Sequence, residues 1–384
     1  MRTLSNKIIN KLLANKNTAN IGFKKNNKWN WITNKQLINS VINCRNILQE
    51  YKIDSEDRIA YKGSNSINWI AWNLASNSLG ATWVPMYNDQ STTYTNFIID
   101  DCKPKLLIQD EINYKHENIQ ILVNDISCDE NINSNINFIK PANDLATLIY
   151  TSGTTGNPKG VLYSHKSNIL HAQASLTAML IKPSDSILMV VPLFHVLAWG
   201  IPYYGPMFGL KLVMPGMQME GEPLYDLIDS EDVSLAFGVP TIWMGLLAYC
   251  RENNKILSSV KNTIIGGSAL SLSTLQEFDE VHDVNVIHAW GMTEMSPLGT
   301  TNVPTLEMQN MSKEEKYAIQ LKQGKPIYGV ELKVVDDTGK DLPHDGESQG
   351  HLLVRGPWIL QKYFKAENDA VDKDGWFDTG DISV

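Results

Sequence analysis

Leu145-Ala146-Thr147-Leu148-Ile149-Tyr150-Thr151-Ser152-Gly153-Thr154-Thr155-Gly156-Asn157-Pro158-Lys159-Gly160 joins an apolar run to a hydroxyl-rich turn. Six of the nine positions from Thr151 to Lys159 are Gly, Ser or Thr. Glycines let the backbone turn tightly and bring N–H groups against a phosphate, while four hydroxyls and one ammonium add side-chain donors. A strand feeding such a loop predicts a polyphosphate site on an α/β sheet. Lys159 is followed by Gly160 and Val161, not Ser or Thr, which excludes the GxxxxGK[ST] loop of the common nucleotide hydrolases. The GxGxxG spacing of a dinucleotide fold is not met either.

Working outward, short apolar strands alternate with helical runs. A strand at 57–61 leads into an amphipathic stretch at 65–79 closed by Gly80, and another strand follows at 81–85. Further strands are predicted at 106–108, 119–123, 188–191, 211–214, 235–238, 263–265 and 284–289. This is the rhythm of βαβ units and mainly parallel sheets. The Asn-, Ser- and Asp-rich segment 125–137 reads as a surface connection. After residue 325, short strands at 331–335 and 351–355, with a turn at Asp337-Thr338-Gly339, predict a small antiparallel β subdomain. The expected units are therefore 1–140 (first α/β subdomain), 141–324 (second α/β subdomain with the phosphate loop) and 325–384 (β subdomain).

The 384 residues carry a net charge of −9, which argues against a nucleic-acid binder. Residues 1–49 hold nine basic side chains and no acid, leaving −18 on the remainder. That basic lead reads as a solvated helical surface, with peripheral contact to an anionic membrane left open. No run of eighteen apolar residues is present, so no transmembrane segment is predicted. Cys44, Cys102, Cys128 and Cys250 lie far apart without a CxxC pair, which fits a reducing cytoplasm and no structural zinc.

Other groups recur at predicted strand ends. Gly266-Gly267-Ser268-Ala269 offers small residues that admit a flat ring or an acyl chain, although a tight strand-to-helix turn explains them equally. The run 286–290 ends in Trp290, then Gly291-Met292-Thr293-Glu294: an aromatic, a hydroxyl and a carboxylate, or else a helix cap with an acid in its first turn. Asp374-Gly375-Trp376-Phe377-Asp378-Thr379-Gly380-Asp381 in isolation is an acidic turn. In Val191-Pro192-Leu193-Phe194-His195-Val196-Leu197-Ala198-Trp199-Gly200, His195 is either a core histidine or a donor to a carboxylate. Trp199, Tyr203, Tyr204, Phe208, Phe237, Trp243 and Met292 line an apolar pocket or form plain core. These stretches contain no partner for a second carboxylate or an ammonium, so an apolar monocarboxylic acid is preferred.

Together the phosphate loop, Gly160-Val161, Ser164-His165 and the later motifs resemble the adenylate-forming superfamily, and the 191–200 motif resembles its medium- and long-chain acyl-CoA synthetases. Gly324-Lys325-Pro326 and Arg355-Gly356-Pro357-Trp358 share that likeness. Lys362 departs from it, standing where relatives usually carry Gly before Tyr363. The resemblance implies an ATP, Mg²⁺ and coenzyme A-using ligase that activates a fatty acid. It implies ATP contacts from Thr151, Ser152, Gly153, Thr154, Thr155, Gly156 and Lys159, from Gly267, Ser268 and Ala269, and from Ala289, Trp290, Gly291, Met292 and Thr293, with Asp381 on the ribose. Trp290 would lie by the adenine, Thr293 on the α-phosphate, and Glu294 with Thr151 on Mg²⁺. His195, Trp199, Tyr203, Phe237, Gly266, Trp290 and Met292 would face the acyl group, and His195, Lys159, Thr293 and Glu294 would act in the chemistry. Relatives with these motifs are often homodimers. They continue beyond Thr-Gly-Asp into a small domain carrying a further lysine, whereas this sequence stops at Val384, so an impaired chain is expected. The alternatives are an inactive nucleotide- or lipid-binding fragment, or activation of an aryl or other acid for a carrier protein.

Overall fold

The computed structural model describes residues 4–25, 28–124, 126, 144–151, 157–216 and 218–384. The expected surface connection at 125–137 lies, apart from Ile126, outside the described residues, as do Ser152 to Gly156 of the loop. The architecture is α/β, with two large sheets, helices and a small antiparallel sheet. The smaller of the two large sheets orders its strands Gln120–Val123, Leu106–Gln109, Arg58–Lys62, Thr82–Met86, Leu145–Tyr150 and Gly160–Ser164. All neighbours are parallel except the last pair. The nine-stranded sheet runs Lys325–Pro326, Leu298–Asn302, Asn285–Gly291, Asn262–Ile265, Leu235–Gly238, Ser186–Met189, Lys211–Met214, Ala19–Lys25 and Lys28–Thr33. Its centre is parallel and its two ends are antiparallel. Glu331–Val335, Gly350–Arg355 and Phe377–Ser383 form the antiparallel third sheet.

The chain crosses between the large sheets twice, so the expected units 1–140 and 141–324 do not coincide with one sheet each. The hairpin 19–33 joins the nine-stranded sheet, and the strands 145–164 complete the other. Pairing decides this. Ile21 registers with Leu212 and Trp83 with Thr147, bonds between residues that no local pattern links.

The stretch expected to be amphipathic is the helix Ile67–Ser78, and eleven of its twelve residues are buried. Its start is set by Ser66, whose hydroxyl accepts the Trp69 N–H. Its polar residues read as a solvent face but are consumed internally. Asn77 Nδ2 donates to the Ala146 carbonyl at 2.9 Å and Asn73 Nδ2 to Tyr203 Oη at 3.3 Å. Trp69 and Trp72 on this helix belong to a core that runs from the first helix, Leu4–Ala14, to Trp358 and Phe377. Among the described residues, no helix is long and apolar enough to cross a membrane.

Candidate active site

A cavity of about 1710 Å³ opens where the three sheets meet. Its wall collects the carboxyl ends of parallel strands: Met86, Thr151, Val190, Gly238, Gly266 and Gly291 each sit at or just past such an end. Open α/β sheets gather ligands in this crevice because the strand ends there leave room for loops and free backbone groups.

Trp290 is the penultimate residue of its strand, and its Nε1 donates to Asp381 Oδ2 at 3.0 Å, although 91 residues separate them. The bond places the third sheet against the end of the nine-stranded one. Gly291 must be glycine, since a Cβ there would lie 2.0 Å from the Pro297 carbonyl oxygen. The next residues form the short 3-10 turn Thr293–Met295. The turn is held from two sides. Tyr163 Oη donates to the Thr293 carbonyl at 2.6 Å, and the Leu360 N–H donates to the Glu294 carbonyl at 2.8 Å. Glu294 is nearly buried and lines the cavity, with Oε1 accepting from Tyr363 Oη at 2.8 Å.

The two flanks of the phosphate loop stand side by side at the same cavity. The Thr151 N–H donates to the Lys159 carbonyl at 3.0 Å, and the Lys159 N–H to Thr151 Oγ1 at 3.3 Å. Tyr94 Oη holds the Thr151 carbonyl, and Tyr150 Oη donates to Asp101 Oδ2 at 2.6 Å. The Lys159 ammonium rests over the Tyr363 ring, 5.0 Å from its centroid.

His195 faces the cavity, and desolvation by the surrounding protein lowers its pKa. The segment before it is fixed by Asn65, whose side chain imitates a strand: Nδ2 donates to the Val191 carbonyl at 2.9 Å, and Oδ1 accepts the Leu193 N–H at 2.6 Å. The segment after it is strained. Val196, Leu197, Ala198 and Trp199 all have positive φ, from 38° to 57°, ahead of Gly200 at 87°. Each left-handed non-glycine costs about 1–2 kcal/mol, and burial of all four side chains offsets it. The turn lays the Trp199 ring on Gly266, where a Cβ would lie 3.2 Å from the indole.

Of the other expected residues, Gly267, Ala289 and Met292 line the cavity. Tyr203 and Phe237, expected on the acyl wall, are instead buried behind it. Tyr203 accepts from Asn73, and Phe237 packs edge-on against Trp199 with centroids 6.0 Å apart. Trp199 takes the wall position because the left-handed turn swings its ring in front of Phe237. Ser268 and Ala269 are exposed and outside the cavity wall. Lys362 needs no glycine-like backbone: the left-handed residue nearby is Lys365, and Lys362 Nζ bonds the Glu367 carbonyl at 2.7 Å.

Sequence reading missed Tyr363, Tyr94, Tyr163 and His171, whose contacts all span long separations. His171 is buried, accepts the Leu298 N–H on Nε2 at 3.2 Å, and has its pKa pushed down by burial to about 3. Burial and the neighbouring Glu294 raise the Tyr363 phenol well above its ordinary pKa, so it remains a donor.

The AMP-binding enzyme family model matches residues 14–364. A 3-methylmercaptopropionyl-CoA ligase of Ruegeria lacuscaerulensis is 51% identical over 244 residues, which is 63% of this chain and 45% of that protein. A medium-chain-fatty-acid–CoA ligase of Ectopseudomonas oleovorans is 48% identical over 253 residues, 65% of this chain and 46% of that protein. The chain thus matches about half the length of these relatives. Among solved structures, the N-terminal domain of FACL13 from Mycobacterium tuberculosis superposes with a TM-score of 0.83, covering 100% of this chain and 96% of that one, at 21% identity, a likeness of fold. With the matched model spanning nearly all of the three sheets, the chain belongs to the AMP-binding enzyme family.

Proposed function

We propose that the chain uses ATP to activate a medium- or long-chain fatty acid as its acyl-adenylate, the step that precedes transfer to coenzyme A. The observation that carries this reading is one cavity shared by Thr151, Lys159, Thr293, Glu294, Asp381 and His195, whose wall also includes the apolar Trp199, Gly238, Ile242 and Met219.

The substrate supplies its own nucleophile. A carboxylate oxygen attacks the α-phosphorus, the bond to the bridging oxygen breaks, and pyrophosphate leaves. A thiolate then attacks the acyl carbon and AMP departs. The protein's part is alignment and charge neutralisation. Trp290 and Asp381, already bonded to one another, would seat adenine and ribose. Lys159 and the loop donors would take the polyphosphate, and Thr293 the α-phosphate. His195 would donate a hydrogen bond to the carboxylate.

Glu294 and Thr151 suit Mg²⁺: one nearly buried carboxylate and one hydroxyl beside a phosphate loop are the donors this cation accepts alongside phosphate oxygens and water. When bound, Mg²⁺ would neutralise charge on the phosphates. Cytoplasmic residence is part of the same reading and is supported by Cys102 and Cys250, which are buried as thiols.

Pyrophosphate exchange into ATP across an acid panel tests the proposal. The panel should hold acetate, 3-methylmercaptopropionate, octanoate, palmitate, benzoate and amino acids. Exchange is expected with the fatty acids. Exchange with aryl or amino acids alone overturns the substrate class, and nucleotide binding without any exchange points to a binding protein.

A further inference from the structure

Residues Trp358 to Lys365 form a strap across three separate parts of the molecule. Ser296 Oγ donates to the Trp358 carbonyl at 2.9 Å, the Phe364 N–H donates to the Gly160 carbonyl at 2.8 Å, and Lys365 Nζ pairs with Asp101 Oδ1 at 3.0 Å. Tyr363 also bridges Val161 through its backbone. The strap thereby fixes one phenol against two oppositely charged groups of the cavity wall, Glu294 and Lys159. Its hydroxyl binds Glu294 Oε1 and its ring face carries Lys159. Among the described residues, no ion pair links Lys159 to Glu294.

Two opposite charges beside one cavity have a simple way to fail. At close range their attraction in a partly desolvated site favours direct pairing, which would remove the phosphate ligand and the metal ligand together. A hydroxyl already seated on one carboxylate oxygen, with an aromatic face offered to the ammonium, competes with that collapse. We propose that Tyr363 is a positioning residue that engages one oxygen of Glu294, keeps the carboxylate from closing on Lys159, and so leaves it open to the divalent cation accompanying the polyphosphate. The inference rests on the adenylation reading above. It assigns Tyr363 no contact with substrate.

Outer partners that orient a metal ligand are worth about 10–100-fold in metal affinity. Titration calorimetry with ATP plus Mg²⁺, ATP plus chelator, and AMP should therefore separate Tyr363→Phe from the wild type. The Phe variant keeps the ring beneath Lys159 and the backbone bridge to Val161. We expect the gain in ATP affinity from Mg²⁺ to fall about tenfold, AMP affinity to stay unchanged, and the effect to vanish in a Glu294→Gln background, where no carboxylate remains to be held. An undiminished Mg²⁺ gain overturns the proposal. So does an equal loss for ATP and AMP, which would mark a merely structural role, and so does a loss that persists beside Glu294→Gln. Should Y363F fail to fold, Tyr363→Leu, which also removes the hydroxyl from Glu294, must show the same lost Mg²⁺ gain, and an intact gain overturns the idea equally. Failure of the wild type to bind ATP at all would instead remove the adenylation reading itself.

Discussion

Acid should weaken this protein through a histidine far from any charged group. His171 lies under Gly200 and edge-on to Trp358, and its pKa falls from 6.5 to about 3 through burial alone. The unfolded chain binds the extra proton first. The stabilising effect is therefore complete above pH 6.5 and is lost as pH falls toward 3, at about 1.4 kcal/mol per pH unit. Between pH 7 and pH 5 the loss through His171 is about 2 kcal/mol. His165, brought down to about 4 mainly by burial, adds a similar loss over the same interval. The perturbation is His171→Gln, whose amide oxygen can still accept the Leu298 N–H but does not titrate. The assay is urea unfolding of both proteins at the two pH values. The variant starts from lower stability at pH 7, yet its drop on acidification should be smaller by about 2 kcal/mol. An identical drop in both proteins would refute the assignment.

Asp381→Ala should weaken ATP and AMP about 10–100-fold by calorimetry, the worth of one or two hydrogen bonds to a charged group. Asp381→Asn, which can still accept from Trp290, should lose less, and unchanged binding in the Ala variant would contradict a ribose role. Gly266→Ala would place a methyl 3.2 Å from the Trp199 ring and 3.0 Å from the Ala289 carbonyl oxygen. It should cost about 1–3 kcal/mol of stability. It should also weaken a long-chain acyl-adenylate analogue more than AMP, and equal weakening of both ligands would show that the ring does not border the acyl group.

Much of the second half of the fold was legible because parallel, doubly covered strands are short, apolar and punctuated. Lys211–Met214 and Leu235–Gly238 fall at the predicted residues, as does the antiparallel Glu331–Val335, which its flanking turns mark out instead. Trp290 stood out in its own motif and Asp381 only through the family resemblance, and the cavity gathers both. The missed features depend on distant partners. Nothing local marks Tyr363 as a neighbour of Glu294, or Asn65 as the clamp on Val191 and Leu193. The Asn and Ser residues of Ile67–Ser78 read as solvent-facing because composition does not reveal acceptors supplied by Ala146 or Tyr203. The left-handed run at 196–199 was hidden for a different reason: Val, Leu, Ala and Trp disfavour that backbone, and only the surrounding burial imposes it. Phe237 and Tyr203 read equally as pocket wall or core in the sequence, and the packing of Phe237 behind Trp199 depends on the strained turn, which no local pattern announces.

The hairpin at 19–33 completes the nine-stranded sheet by pairing with Lys211–Met214, and this sets an order of assembly. During synthesis those early residues leave the ribosome long before their partner exists, so the hairpin must wait with one rim unpaired while the 58–164 sheet has every strand it needs. Folding should therefore begin in the middle of the chain and return to its start. Clipping the chain after Thr33 would leave Lys211–Met214 as a bare parallel rim, an invitation to strand-by-strand self-association.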